Sequence, residues 1–129
     1  MNDAEFAFPG ELRDRLVAAV LRGEKTATSS LRAEYEEDGR DLPRVGERGR
    51  VLDSDGQPVG VIETTEVRVL LAREIDLQFA RDEGEGFETV ADWWDAHDRF
   101  WRSYAEDPAW RLAEDTVVVA ERFRLVEDR

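Results

Sequence analysis

The chain has no cysteine among its 129 residues. Disulfides, thiolate nucleophiles and cysteine-rich zinc sites are thereby excluded, and a reducing cytoplasm is the expected compartment. Histidine is nearly absent as well. With His97 alone, neither a histidine-built metal site nor a Ser-His-Asp triad has much to draw on, whereas a cation held by carboxylates stays open. Long apolar runs are missing: nothing approaches the ~20 apolar residues of a membrane span. The opening MNDAEFAFPG lacks the basic start and apolar stretch of a signal peptide. A soluble cytoplasmic protein with no membrane partner is expected.

Lysine is scarcer still. Of eighteen basic residues seventeen are arginine, and the exception is Lys25. A chain that uses arginine elsewhere can keep a lysine where a compact, titratable ammonium fits and a planar guanidinium does not.

Acidic residues dominate, and the net charge is −13. Residues 1–21 contribute −2, residues 22–50 balance at zero, and residues 51–129 contribute −11. That distribution argues against duplex DNA lying across the surface. A polyanion would find its best footing between Arg22 and Arg50. A solvated surface of mixed charge accounts for the same stretch.

The length fits one domain over residues 1–129, large enough to bury roughly two-thirds of its unfolded surface without staples. Apolar spacing predicts a helix from Pro9 to about Arg22, closed by Gly23. Thr26 to about Leu31 reads as a loop entering a strand, and residues 32–44 as a surface loop with room for one helical turn. Strands are expected over Arg48–Asp53, 58–71 and 116–126. Alternation would put Val59, Val61, Thr65, Val67, Val69 and Leu71 on one face of the second, and Val117, Val119, Phe123 and Leu125 on one face of the third. Glu63 and Glu121 interrupt those faces, as pocket groups or, more simply, at a bulge or barrel mouth.

A short helix is predicted over Asp76–Arg81. Thr89 and Asp92 form a capping box opening a long helix, whose stripe is Val90, Trp93, Trp94, His97, Trp101 and Tyr104. The order of elements gives an α+β fold, with helices packed on a small curved sheet that closure would protect at its edges.

Three constellations could carry chemistry. The first is Gly23-Glu24-Lys25-Thr26-Ala27-Thr28, where Lys25 and Thr28 can converge in a turn; the spacing is not that of a Walker loop, and a plain surface turn explains it too. The second is the acidic run around Glu83 and Glu85, with glycines that permit close backbone approach. Crowded carboxylates can shift one another's pKa for acid-base work or hold a hard cation, and a solvated loop is the simpler account. The third is His97 on the tryptophan stripe, either packed in the core or, with Trp94, stacking on a base.

Taken together, GEKTAT at 23–28, Leu42-Pro43 with Val45-Gly46, VLDSDGQPVGVIETTEV at 51–67, FARDEGEG at 79–86 and Trp94 with His97 resemble the ASCH family of the PUA-like superfamily. The resemblance is to its longer subgroup of predicted RNA-binding proteins, and it spans roughly residues 8–126. It implies a PUA-like small β-barrel with flanking helices and a cleft lined by Lys25, Thr28 and the acidic loop. It also implies RNA, a nucleotide or a nucleoside as ligand, with hydrolysis of RNA or of a modified nucleoside as the activity. The alternatives are an N4-acylcytidine amidohydrolase and an RNA-binding module without chemistry. Carried over by motif, Thr28 would be the nucleophile, Lys25 would stabilise the oxyanion and Glu83 would shuttle the proton, with Thr26, Glu85, Trp94 and His97 contacting substrate. No cofactor is implied. Phe87 stands where the subgroup more often has aspartate, which weakens a divalent-metal role for the loop. Lys25→Ala is expected to abolish binding or turnover while leaving the fold intact.

Overall fold

In the computed structural model, which describes residues 1–128, the short strand β1 (Asn2–Ala4) precedes helix α1 (Glu11–Leu21). Strand β2 (Ala27–Leu31) runs directly into helix α2 (Arg32–Glu37). Strands β3 (Arg48–Leu52) and β4 (Pro58–Leu71) follow, then a 3-10 turn at Ala72–Glu74, helices α3 (Leu77–Asp82) and α4 (Val90–Arg102), and strand β5 (Val117–Asp128).

The five strands form one sheet in the order β1-β3-β4-β5-β2. All pairs are antiparallel except β1 with β3. This is the mixed α+β architecture expected, with one correction: the sheet is open, and β1 and β2 are its edges. At three residues, β1 is too short to carry the ladder round to β2.

Register shifts correct the expected faces of β4. They fall between Val61 and Ile62 and between Thr64 and Glu66. The first leaves Val126 of β5 as the extra residue, and the second leaves Thr65 of β4, which reverses which β4 side chains point inward beyond it. Val61, Ile62 and Thr64 are all buried, while Val69 is exposed. Strand β5 is covered on both faces rather than one. Val118 and Ala120 join Ala27, Phe79, Trp93 and Trp101 in a core beneath α3 and α4. Phe123 joins Phe6, Val17, Val20, Val51 and Ile62 in a second core under α1. Glu63 sits between Arg48 and Arg124, and Glu121 accepts a 2.7 Å hydrogen bond from Thr64.

Local sequence explains the helix ends. Asp76 accepts from the Phe79 amide at 2.8 Å, and the Thr89–Asp92 capping box forms as predicted. The α4 stripe divides by depth: Trp93, His97 and Trp101 are buried, Trp94 is partly covered, and Tyr104 lies exposed beyond the helix end. Buried Arg13 ties the N-terminal segment to α1, donating to the carbonyls of Phe6 at 3.2 Å and Ala7 at 2.7 Å. That places the Phe6 ring 5.7 Å from the Lys25 ammonium.

Candidate functional site

Lys25 follows the turn after α1, where its amide caps the helix by donating to the Ala19 carbonyl. Its side chain does not lie on the surface. Nζ donates to the carbonyls of Ala27 at 2.9 Å and Glu83 at 3.2 Å, and the side chain is 1 % exposed. The ammonium therefore bolts the start of β2 to the end of α3. The Glu83 and Glu85 carboxylates lie 3.8 and 3.6 Å away from it.

Gly84 makes this approach feasible. Its φ is +69°, and a Cβ there would come within 2.6 Å of the Glu24 carbonyl oxygen and 2.7 Å of the Lys25 Cα. Only glycine combines that conformation with so close a crossing. The Thr26 amide, donating to Asp82 at 2.8 Å, completes the junction between the two segments.

Glu83 is the hub. Its Oε2 accepts from Ser29 Oγ at 2.7 Å and from the Trp93 indole at 2.5 Å, while Oε1 lies 3.2 Å from His97 Nε2. Trp93 and His97 are one helical turn apart on α4, and their rings stack with centroids 4.5 Å apart. The other imidazole nitrogen, Nδ1, is 2.8 Å from the Trp93 carbonyl. A carbonyl can only accept, and a carboxylate accepts best, so both ring nitrogens serve as donors. That is the imidazolium form.

The electrostatics agree with the geometry. Burial alone would push Glu83 upward, but the His97 cation, its hydrogen bond, Lys25 and Ser29 together bring it down to about 2. For His97 burial opposes the charge, and the Glu83 carboxylate outweighs it, leaving the pKa raised. Glu85 moves the other way. Burial and the nearby Glu83 charge raise it against the pull of Lys25. Two adjacent carboxyls are thus driven apart, one fixed as an anion and one inclined to hold a proton.

The cluster is closed on its inner side. Glu83 is 1 % exposed, against 22 % for the Glu85 side chain and 10 % for His97. Glu85 and His97 form the mouth, with the Phe87 ring edge-on to His97. One ligand atom each from Glu83, Glu85 and His97 lies within 4.8 Å of the others, a grouping that could hold a metal ion. The Lys25 ammonium already supplies positive charge to both carboxylates there.

Of the residues singled out by sequence, Lys25, Glu83, Glu85 and His97 are brought together. Thr28 is not. Strand alternation puts it on the face of β2 opposite Ala27 and Ser29, across from Glu121, and Ser29 supplies the hydroxyl that meets Glu83. Trp94 packs edge-on against Trp93, on the flank of the stripe. Sequence reasoning missed Ser29 and the indole of Trp93. The period-two offset from Ala27 and the one-turn offset from His97 were the available signals.

Burial also corrects the expected outcome of Lys25→Ala. Removing the ammonium leaves two carbonyls without a donor and takes from Glu83 one of its two cationic neighbours, so the fold itself would be weakened.

A family model described as the ASCH domain matches residues 4–127. The chain belongs to the ASCH domain family. That family is generally linked to RNA binding. Two solved structures resemble this ASCH domain over nearly its whole length. One is a protein from Enterococcus faecalis, with 27% identity, a TM-score of 0.87, and coverage of 99% of this chain and 77% of that one. The other is an ASCH domain from Lactobacillus crispatus, with 31% identity, a TM-score of 0.86, and coverage of 98% and 79%. No curated protein matches the chain. Within this ASCH domain no helix among the described residues is long and apolar enough to cross a membrane.

Proposed function

We propose that this ASCH domain recognises RNA, or a free nucleotide or nucleoside, at the mouth formed by Glu85 and His97. The observation that carries this reading is the preorganised ion cluster behind the mouth. Ser29, Trp93 and His97 hold Glu83 in one orientation, and Lys25 is fixed by two carbonyls. Lys25 and His97 set two cations beside the Glu83 and Glu85 carboxyls inside a chain of net charge −13, and burial displaces Glu85 upward. Cationic groups held in place suit a phosphate or a nucleobase carbonyl. A carboxyl that both donates and accepts suits the hydrogen-bonding edge of a base, and Phe87 offers a ring for stacking beside it.

Hydrolysis is the second reading, favoured by the opposed displacement of Glu83 and Glu85. For an N4-acylated cytidine, water would add to the acyl carbon and the C–N bond would break. The Glu85 carboxyl would protonate the departing amine, one proton of the water would restore Glu85, and the acyl group would leave as a carboxylate with the other proton released to solvent. In this arrangement the attacking group is water rather than Thr28, which lies on the other face of β2. The ammonium supplies the cationic charge, and divalent metal has no assigned step.

Incubation with N4-acetylcytidine and, separately, with a short single-stranded RNA tests both readings, with chromatography of the products and calorimetry of binding. Heat of binding with intact ligand supports recognition alone; released cytidine or shortened RNA supports hydrolysis. Neither heat nor product, from folded protein, removes both.

A further inference from the structure

Strand β4 runs from Pro58 to Leu71, but β3 pairs only with its first part, as far as Glu63. The Gly46 amide and the Glu47 carbonyl extend that contact to Thr64. From Thr65 to Leu71 the strand keeps β5 on one side and, among the described residues, has no strand on the other. The sheet therefore has a third free edge besides β1 and β2. Exposure agrees: Thr65, Glu66, Arg68 and Val69 all face solvent, Val69 at 47 %.

Hydrogen-bond parity decides which backbone groups this edge presents. The Ala72 amide donates to the Thr116 carbonyl at 2.8 Å, and the register is regular from Glu66 to Leu71. Alternation then turns Leu70 and Arg68 towards β5, and Leu71, Val69 and Val67 away from it. The Leu71 amide shows the same direction, since the Glu74 carboxylate takes it at 2.8 Å. The amides and carbonyls of Val67 and Val69 face outward, and among the described residues nothing pairs with them.

Free edges are ordinarily blunted by brevity, by proline or by lysine charges. Here the charges have opposite signs, Glu66 and Arg68, one on either side of Val67. They pair with each other at 3.1 Å, and Arg122 of β5 lies 3.6 Å from Glu66. A strand reading Glu-Val-Arg is complementary to itself run backwards. With a two-fold axis through Val67, the two valines exchange both N–H···O bonds, and each Glu66 lies opposite an Arg68. Those flanking pairs are of the kind without direct hydrogen bonds, in which side chains approach most closely. Moving the axis by one residue sets Glu66 against Glu66 or Arg68 against Arg68, and offers amides that β5 already holds. Charge and parity thus select one register.

We infer that residues 65–71 of β4 are a self-pairing edge, where a second copy of this chain adds antiparallel about Val67 and continues the sheet. The inference rests on the sheet alone and is independent of the ligand proposed above.

Sedimentation velocity of the full chain over a concentration series tests it, at near-physiological salt so that the net charge of −13 is screened. The wild type is expected to move from the mass of one chain towards that of two as concentration rises. V67P removes the outward N–H without breaking a β4–β5 bond, and is expected to stay a single chain. R68E and E66R each set like charges opposite at both flanking pairs, and each is expected to weaken self-association at least about tenfold. Mixed one to one, the two charge variants become complementary and are expected to associate about as tightly as the wild type. Both alter exposed side chains, so they decide the matter even if V67P does not fold; circular dichroism checks each protein. A wild type that stays a single chain throughout overturns self-pairing and leaves the edge to a strand of another protein. Association unchanged in both charge variants, or lost in both and not restored on mixing, overturns the Val67-centred edge.

Discussion

Replacing Lys25 by methionine keeps the length and bulk of the side chain and removes its charge. In the wild type the ammonium is 1 % exposed, donates to two backbone carbonyls and lies 3.8 and 3.6 Å from two carboxylates. Lys25→Met strands the Ala27 and Glu83 carbonyls and leaves Glu83 with His97 as its remaining cationic neighbour. Breaking a buried pair from one side costs about 3–5 kcal/mol, and because His97 still answers Glu83, the lower end applies. Against a total stability of about 5–15 kcal/mol this is a large fraction. Urea unfolding followed by tryptophan fluorescence reads it directly, since Trp93 is hydrogen-bonded to Glu83. K25M/E83Q is expected to lose less than the sum of the two single variants, because the second change removes the stranded anion. A loss below about 1 kcal/mol in K25M, or strict additivity in the double variant, would refute the picture of a compensated buried pair.

Further outcomes follow from the same geometry. Gly84→Ala combines a positive φ with a 2.6 Å approach to backbone, so a loss exceeding about 1–3 kcal/mol is expected on urea unfolding, whereas Gly86→Ala meets open space and is strained only by its φ of +85°. Stability should depend on pH at both ends. Glu83, depressed from 4.5 to about 2, contributes above 4.5, and its contribution is lost as pH falls through about 2. His97, raised above 6.5, contributes fully below 6.5 and ceases to as pH rises through its elevated value, so His97→Gln should flatten the alkaline arm of a pH series of urea midpoints. Glu121 is raised chiefly by burial, so it costs stability as pH rises from 4.5 through its raised value. Glu121→Gln should raise the unfolding midpoint more above that range than below 4.5 while Thr64 keeps a partner.

Much of the fold was legible because its signals are local. The α1 spacing, the short helix near Asp76–Arg81, the Thr89 cap and the long β4 run all lie where their residues predict. The bulges at Thr65 of β4 and Val126 of β5 were not legible, since one inserted residue leaves composition and turn signals unchanged while reversing every side chain after it. Strand β1 gave no signal at three residues.

At the site, the convergence of Lys25 with the acidic loop followed from the motif, but its depth did not. Whether a lysine snorkels to water or is bolted to carbonyls depends on what crosses above it, and here that is Gly84 and Glu83. The choice between Thr28 and Ser29 turned on strand parity. Had β2 presented its even-numbered residues to α3, Thr28 would have met Glu83.

The most direct measurement follows the imidazole of His97, the chain's sole histidine and so an NMR signal that needs no further assignment. Adding a cytidine nucleotide or a short single-stranded RNA in excess should shift its ring proton resonances and displace its titration, because ligand at the mouth would touch the imidazolium and change the charge on Glu85. Ring resonances and a titration curve that stay the same with every such ligand, in a protein still folded, would contradict recognition at this site.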